Sequence, residues 1–127
     1  MNDIYEDNRV VATEMYHGRL LVVKHLGFHS FGDIPGNRWY TGYAQVLPTD
    51  GIDMDMTTDE FLYHDIQAPG GLTFSGELAE FPGKQMLGFD TNHPFMDNSR
   101  IDYTQVMEWC REMADDIAGV SGVFHDL

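Results

Sequence analysis

"DYTQVMEWCREMADDIAG", residues Asp102 to Gly119, decides the fold. Val106, Cys110, Met113 and Ile117 recur at helical spacing and mark one apolar stripe of an amphipathic helix. Asp102, with Gln105 three residues on, has the pattern of a capping box at its start. Gly119 is the expected C′ stop. Trp109 falls at the margin of the stripe, and Cys110, within it, reads as an inert core thiol. A helix with a single apolar face must lay that face on another layer, and the preceding residues have to supply it.

They read mostly as strands. "RVVATEMY" and "RLLVVKHL" are β-rich runs separated by His17-Gly18, a tight hairpin turn. "GFHSFGDIPGN" reads as a long loop, and "RWYTGYAQVL" (Arg38 to Leu47) as a third strand stopped by Pro48. "PTDGIDMDM" is acidic and turn-forming. "TTDEFLYH" (Thr57 to His64) predicts a short helix with a threonine cap and acidic residues in its first turn. "GGLTFSG" carries a short run from Leu72 to Ser75, and "KQMLGFD" is a strand ending at Asp90. The order predicts one α+β domain, residues 1–127, with a small antiparallel sheet packed against a C-terminal amphipathic helix.

The chain has 127 residues, of which 43% are apolar and 13% aromatic, enough for one core without staples. Seven Lys and Arg against 21 Asp and Glu leave a net charge of −14. Such a surface repels nucleic acid and anionic membranes, because phosphate binding needs cations to displace counterions. It suits a basic partner, a divalent cation or plain solubility. Acidic clusters stand at Asp3 to Asp7, Asp50 to Glu60 and Asp115–Asp116. No run approaches the roughly 20 apolar residues of a membrane span. The acidic opening "MNDIYEDNRV" is unlike a secretory signal, and a lone cysteine makes no internal disulfide, so the expected location is cytoplasmic.

Chemistry concentrates in "LGFDTNHPFMDN", Leu87 to Asn98. Asp90, His93 and Asp97 are ligand types for a divalent metal, and Asp90 sits where a strand ends. The same residues make a polar ligand pocket, or a well-capped turn, since Asp and Asn hydrogen-bond nearby backbone and His93-Pro94 favours extended geometry. In "GGLTFSG", consecutive glycines allow close approach of a ligand or another backbone. Thr73 and Ser75 there project to one strand face, with Leu72 and Phe74 on the other, a hydroxyl pair suited to phosphate or ribose or to plain solvent. The remaining histidines are scattered, and His25 reads as a turn or surface residue. Phe28, Phe31, Trp39, Tyr40 and Tyr43 surround Arg38. They suit a core, an oligomer interface or a stacked nucleobase.

"WYTGYAQVLP", "GGLTFSG" and "LGFDTNHPFMDN", followed by an acidic amphipathic helix, resemble a family of small bacteriophage and prophage proteins. The resemblance covers about residues 38 to 117 and is carried by Gly70, Gly71, Leu72, Thr73 and Ser75, and by Gly88, Phe89, Asp90, His93 and Asp97. Where the family pattern has His before Gly-Gly, this chain has Pro69, and "PFM" loosens the spacing from His93 to Asp97. Losing that histidine weakens a catalytic metal reading.

The resemblance implies a phage-associated binding protein that inhibits a host factor, such as a bacterial defence system. The expected routes are sequestration of a small nucleotide-like ligand at Gly71, Thr73, Ser75, Asp90 and His93, or docking of an acidic surface on a basic host protein. Direct nucleic-acid binding is not expected, and a homo-oligomer built through the aromatic loop is a further possibility. The rival expectation is a metal-dependent hydrolase with a divalent ion on Asp90, His93 and Asp97.

Overall fold

A computed structural model of the protein describes residues 7–52 and 66–125, and the side chains of its last helix as far as Gly119. The elements are β1 (Asp7–Tyr16), β2 (Arg19–Phe28), β3 (Asn37–Gln45), a 3-10 turn at Pro48–Asp50, β4 (Phe74–Gly76), β5 (Met86–Asp90) and α1 (Tyr103–His125). The strands form one five-stranded antiparallel sheet in the order β1-β2-β3-β5-β4, with α1 packed on it. This is the α+β architecture that the amphipathic stripe requires. The expected helix at Thr57 to His64 lies outside the described residues.

The β1–β2 turn follows from two residues. His17 and Gly18 have φ of 50° and 81°. Positive φ at both central positions is the type I′ pattern, whose twist matches that of the strands it joins. Between Val10 and Ala12 the β1–β2 register shifts by one residue, a β-bulge.

β2 occupies the second position in the sheet and is covered on both faces. Its residues from Arg19 to Lys24 are all buried, which explains why "LLVV" (Leu20 to Val23) is a continuous apolar run rather than an alternation. Leu21 and Val23 face the helix with Ala44, Leu87 and Phe89, and against them lie Val106, Cys110, Met113, Ala114 and Ile117 of α1. Leu20 and Val22 face the other way, in a smaller cluster with Tyr43, Leu78 and Met86. The sequence predicts a cover on one face only, but the segment between β4 and β5 supplies Leu78 and Phe81 to the second. Leu72 and Phe74, expected on a common face, divide between these two clusters because Leu72 precedes β4 and packs on the helix side.

The helix sits close to the sheet at Gly42. A Cβ there would lie 2.6 Å from the Phe89 ring and 2.7 Å from Cys110 Sγ, so only glycine admits this approach. Side-chain ties fix the direction of α1 along β1. Arg111 donates to both carboxylate oxygens of Glu14 at 2.7 and 2.6 Å, and Tyr16 Oη donates to Asp115 at 3.1 Å. Two residues of strand advance about 6.7 Å and four of helix about 6 Å, so the pairs stay in step when the two elements run the same way.

At its N-terminus α1 is capped as the sequence predicts, with Gln105 N donating to Asp102 Oδ1 at 3.0 Å. Its end differs. Gly119 is not a C′ stop, and the helix runs through it to His125. Gly119 is not in the left-handed region that a C′ glycine adopts. A glycine inside a helix costs only about 1 kcal/mol relative to alanine, which a packed helix tolerates. Among the described residues no helix is long and apolar enough to cross a membrane.

Candidate functional site

β5 delivers Asp90 to the end of the sheet, opposite Thr41 of β3, and the chain then turns sharply. The turn is built from short polar side chains. Asp90 Oδ1 accepts from Asn92 N at 2.9 Å, and Thr91 Oγ1 donates to Asn98 Oδ1 while Asn98 Nδ2 donates to Thr91 O. Thr91 N also donates to the Tyr40 carbonyl and Thr91 Oγ1 accepts from Tyr40 N, both at 2.9 Å, extending the ladder one residue past the strand. These are the backbone-directed bonds that favour Asp, Asn and Thr in turns. They hold the 91–99 loop against β3.

The same turn places His93 on the Gly-Gly segment. Gly70 has φ of 74°, and a Cβ on it would lie 2.3 Å from His93 Nε2, so the ring occupies the space a side chain would need. His93 Nε2 stands 3.5 Å from Asp90 Oδ1, and its other face stacks on Phe95 at 5.4 Å between centroids and 12° between planes. His93 Nε2 is buried without a hydrogen-bond partner among the described residues. Asp90, His93 and the Gly70–Gly71 turn are therefore brought together, as the motifs imply.

Other residues expected with them are elsewhere. Ser75 pairs with Leu87 and so faces the helix side, whereas Asp90, three residues along β5, projects to the opposite face. The period of two along a strand separates them. Thr73 is exposed just before β4, and its N–H donates to the Gly88 carbonyl at 2.9 Å. Gly71 closes the turn through a bond to Ala68 O at 2.9 Å. Asp97 accepts from Ser99 N and Oγ and lies 3.5 Å from Arg100 Nε, committed to its own turn. The expected metal trio of Asp90, His93 and Asp97 is not assembled. Among the described residues no three His, Cys, Asp or Glu side chains are grouped to hold a metal ion.

What the loop does form is a groove. About 620 Å³ of open space lies where the 92–101 loop faces the ends of β2 and β3. Its lining includes Asn92, His93 and Asp97 on the loop side and His25, Arg38 and Tyr40 on the strand side. Register explains the strand side. His25 pairs with Tyr40 and Gly27 with Arg38, so His25, Tyr40 and Arg38 share the face on which Leu21 and Val23 meet the helix. Near the sheet's end these positions border open space instead.

His25, expected at a turn or on the surface, instead stands partly buried in β2 and belongs to the groove. Its Nδ1 is in close hydrogen-bond contact with Asp7 Oδ2, and its ring meets Tyr40 edge-on at 5.0 Å between centroids. Arg9 Nε donates to the other Asp7 oxygen at 2.9 Å, and Arg38 Nη1 stands 3.8 Å from Asp7 Oδ2. Burial pushes the Asp7 carboxyl up, but the bonds from His25 and Arg9 outweigh it and hold the group below its ordinary value of 3.8. Asp7 and His25 lie 18 positions apart, and no local spacing in the sequence joins them.

Of the three acidic clusters, the described acidic residues are Asp7, Asp50, Asp115 and Asp116. Asp50 is buried against Arg19, while Asp115 and Asp116 accept from Tyr16 and from the backbone of Gln67. Searches of protein-family models, of curated proteins and of solved structures found no match to the chain.

Proposed function

We propose that the protein binds a small nucleotide-like ligand in the groove between the ends of β2 and β3 and the 92–101 loop. The observation that carries this reading is the lining of that groove. A planar Arg38 guanidinium, the Tyr40 ring, two imidazoles and the side chains of Asn37, Asn92 and Asn98 converge on one open space. Ligand sites join a concave space to a few oriented polar groups, and guanidinium with aromatic rings suits a nucleobase or a phosphate. Asp90 and Gly70 do not line the groove. They position His93, which does.

This reading is favoured over an acidic docking surface by that convergence of groups, and Asp50, buried against Arg19, is withdrawn from any such surface. It is also favoured over metal-dependent hydrolysis, which lacks its ligand set among the described residues. That binding serves to inhibit a host factor, as a phage defence inhibitor would, rests on the resemblance of "GGLTFSG" and "LGFDTNH" to the phage family.

Calorimetric titration with AMP tests the proposal. Binding in the micromolar to millimolar range is expected, weakened at least about tenfold by Arg38→Ala or His93→Ala. Binding that both variants leave unchanged would remove the groove from consideration. Mass spectrometry of what co-purifies from host cells tests the inhibitory role: a retained nucleotide supports sequestration, and a stoichiometric protein without one refutes it.

A further inference from the structure

The Asp7–His25 pair gives the groove a polarity that the proposed binding alone does not define. Because Asp7 is held ionised, its oxygens only accept hydrogen bonds. Nδ1 of His25 must therefore carry the proton in that contact. In the neutral imidazole this leaves Nε2 with a bare lone pair, as a hydrogen-bond acceptor. Arg9 donates to the second carboxylate oxygen at 2.9 Å, so both oxygens of Asp7 are engaged. The imidazole is fixed in turn by the edge-on contact with Tyr40, and its side chain is 16% exposed. A histidine oriented in this way by a carboxylate has one defined tautomer and a directed free nitrogen.

Donors already abound on this part of the groove: the Arg38 guanidinium and the amides of Asn37 and Asn92. Asn37 Nδ2 donates to Asn92 Oδ1 at 2.9 Å, which leaves that amide oxygen spoken for. Asn98 Oδ1 is likewise occupied, by Thr91 Oγ1. An acceptor nitrogen among such neighbours selects a ligand that brings a hydroxyl donor close to a group Arg38 can bind. Resting on the groove as a nucleotide site, we infer that His25 Nε2 accepts a hydrogen bond from a ribose hydroxyl, so that the protein prefers ribonucleotides to nucleotides lacking the 2′- and 3′-hydroxyls. His25 is a specificity-determining residue, and Asp7 is its positioning residue. The preference is for single small nucleotides, because a net charge of −14 opposes a polyanion.

Two measurements test this. Long-range 1H–15N spectra of the ligand-free protein at neutral pH report the His25 tautomer. The inference expects Nδ1 protonated and Nε2 bare, and either the reverse tautomer or protons on both nitrogens overturns it. Titration then compares AMP with 2′,3′-dideoxy-AMP. The wild-type protein should bind AMP about tenfold more tightly, the scale of one well-formed hydrogen bond. His25→Phe keeps a ring against Tyr40 without the nitrogens, and should bring the ratio close to one. Equal binding of both nucleotides by the wild type overturns the hydroxyl inference and leaves the groove intact as a site. A ratio that persists in His25→Phe overturns it as well, and no binding of either nucleotide removes the groove reading and this inference together.

Discussion

Arg19 grips Asp50 through two parallel bonds, Nη1 to Oδ2 at 2.5 Å and Nη2 to Oδ1 at 2.6 Å, where their side chains are only 7% and 1% exposed. The pair ties the first residue of β2 to the 3-10 turn after β3. Asp50 Oδ2 also accepts from Leu47 N at 2.7 Å, and Arg19 Nη1 reaches the Gln45 carbonyl at 3.2 Å. A buried carboxylate with these partners is satisfied, and one robbed of its guanidinium is not.

Arg19→Leu is therefore expected to destabilise the protein by roughly 3–5 kcal/mol, the cost of stranding a buried charge. Arg19→Leu combined with Asp50→Leu should recover much of that loss. Urea unfolding of both variants checks this. A single variant within about 1 kcal/mol of wild type would show that water reaches Asp50 and that the bond is of the surface kind.

Gly42→Ala tests how closely the helix sits on the sheet. The new methyl meets the Phe89 ring and Cys110 Sγ, both inside the packed core. An expected loss of about 1–3 kcal/mol follows from overpacking. Gly42→Ala with Cys110→Ala removes one of the obstructions and should lose less than the sum of the separate changes. Strict additivity in the double-mutant cycle would place the strain elsewhere.

Cys110 is the chain's one cysteine, and burial pushes its thiol up to about 12. Thiolate is the reacting form, so alkylation of the native protein at pH 8 should be negligible over the time in which a free thiol is consumed. Denaturant should release the full equivalent. Rapid labelling of the folded protein would contradict the packing of α1 on β2 and β3.

Acid should loosen the tie between β1 and α1. The hydrogen bond from Arg111 holds the Glu14 carboxyl below its ordinary 4.5, in spite of opposing desolvation. A depressed folded-state value means stability that is present above 4.5 and lost as the pH falls through the folded value. Glu14→Gln is expected to be less stable than wild type near neutrality and to converge with it in acid. Both side chains are partly exposed, so solvent screening keeps the difference to about 1 kcal/mol or less. A gap that widens on acidification would reverse the assignment.

Much of the fold is legible because its signals are local. The stripe at Val106, Cys110, Met113 and Ile117 is fully buried as its spacing requires, and His17-Gly18 makes the turn its residues favour. Asp90 ends its strand. The Gly119 stop failed because a glycine marks a helix end only when the backbone turns left-handed there, which composition does not reveal. In the candidate site, His93 and Gly70 meet because two loops converge, and only their motifs hinted at it. Ser75 and Asp90 part because the β4–β5 register, invisible in the sequence, sets them on opposite faces.

The bulge in β1 has a consequence for the groove. From the turn, Ala12 pairs with Val23, and continuing that count would set His25 opposite Val10 and turn Asp7 to the far face of the sheet. With the extra residue, Val10 pairs with Lys24, His25 meets Arg9, and Asp7 lies beside Gly27 on the histidine's own side. Val11 thus works as a frameshift written into the strand. Its deletion would close the bulge and keep Val10 opposite Lys24, Arg9 opposite His25 and Asp7 beside Gly27, whereas drawing Val11 into the ladder as a paired residue would put the carboxylate on the wrong side of the sheet.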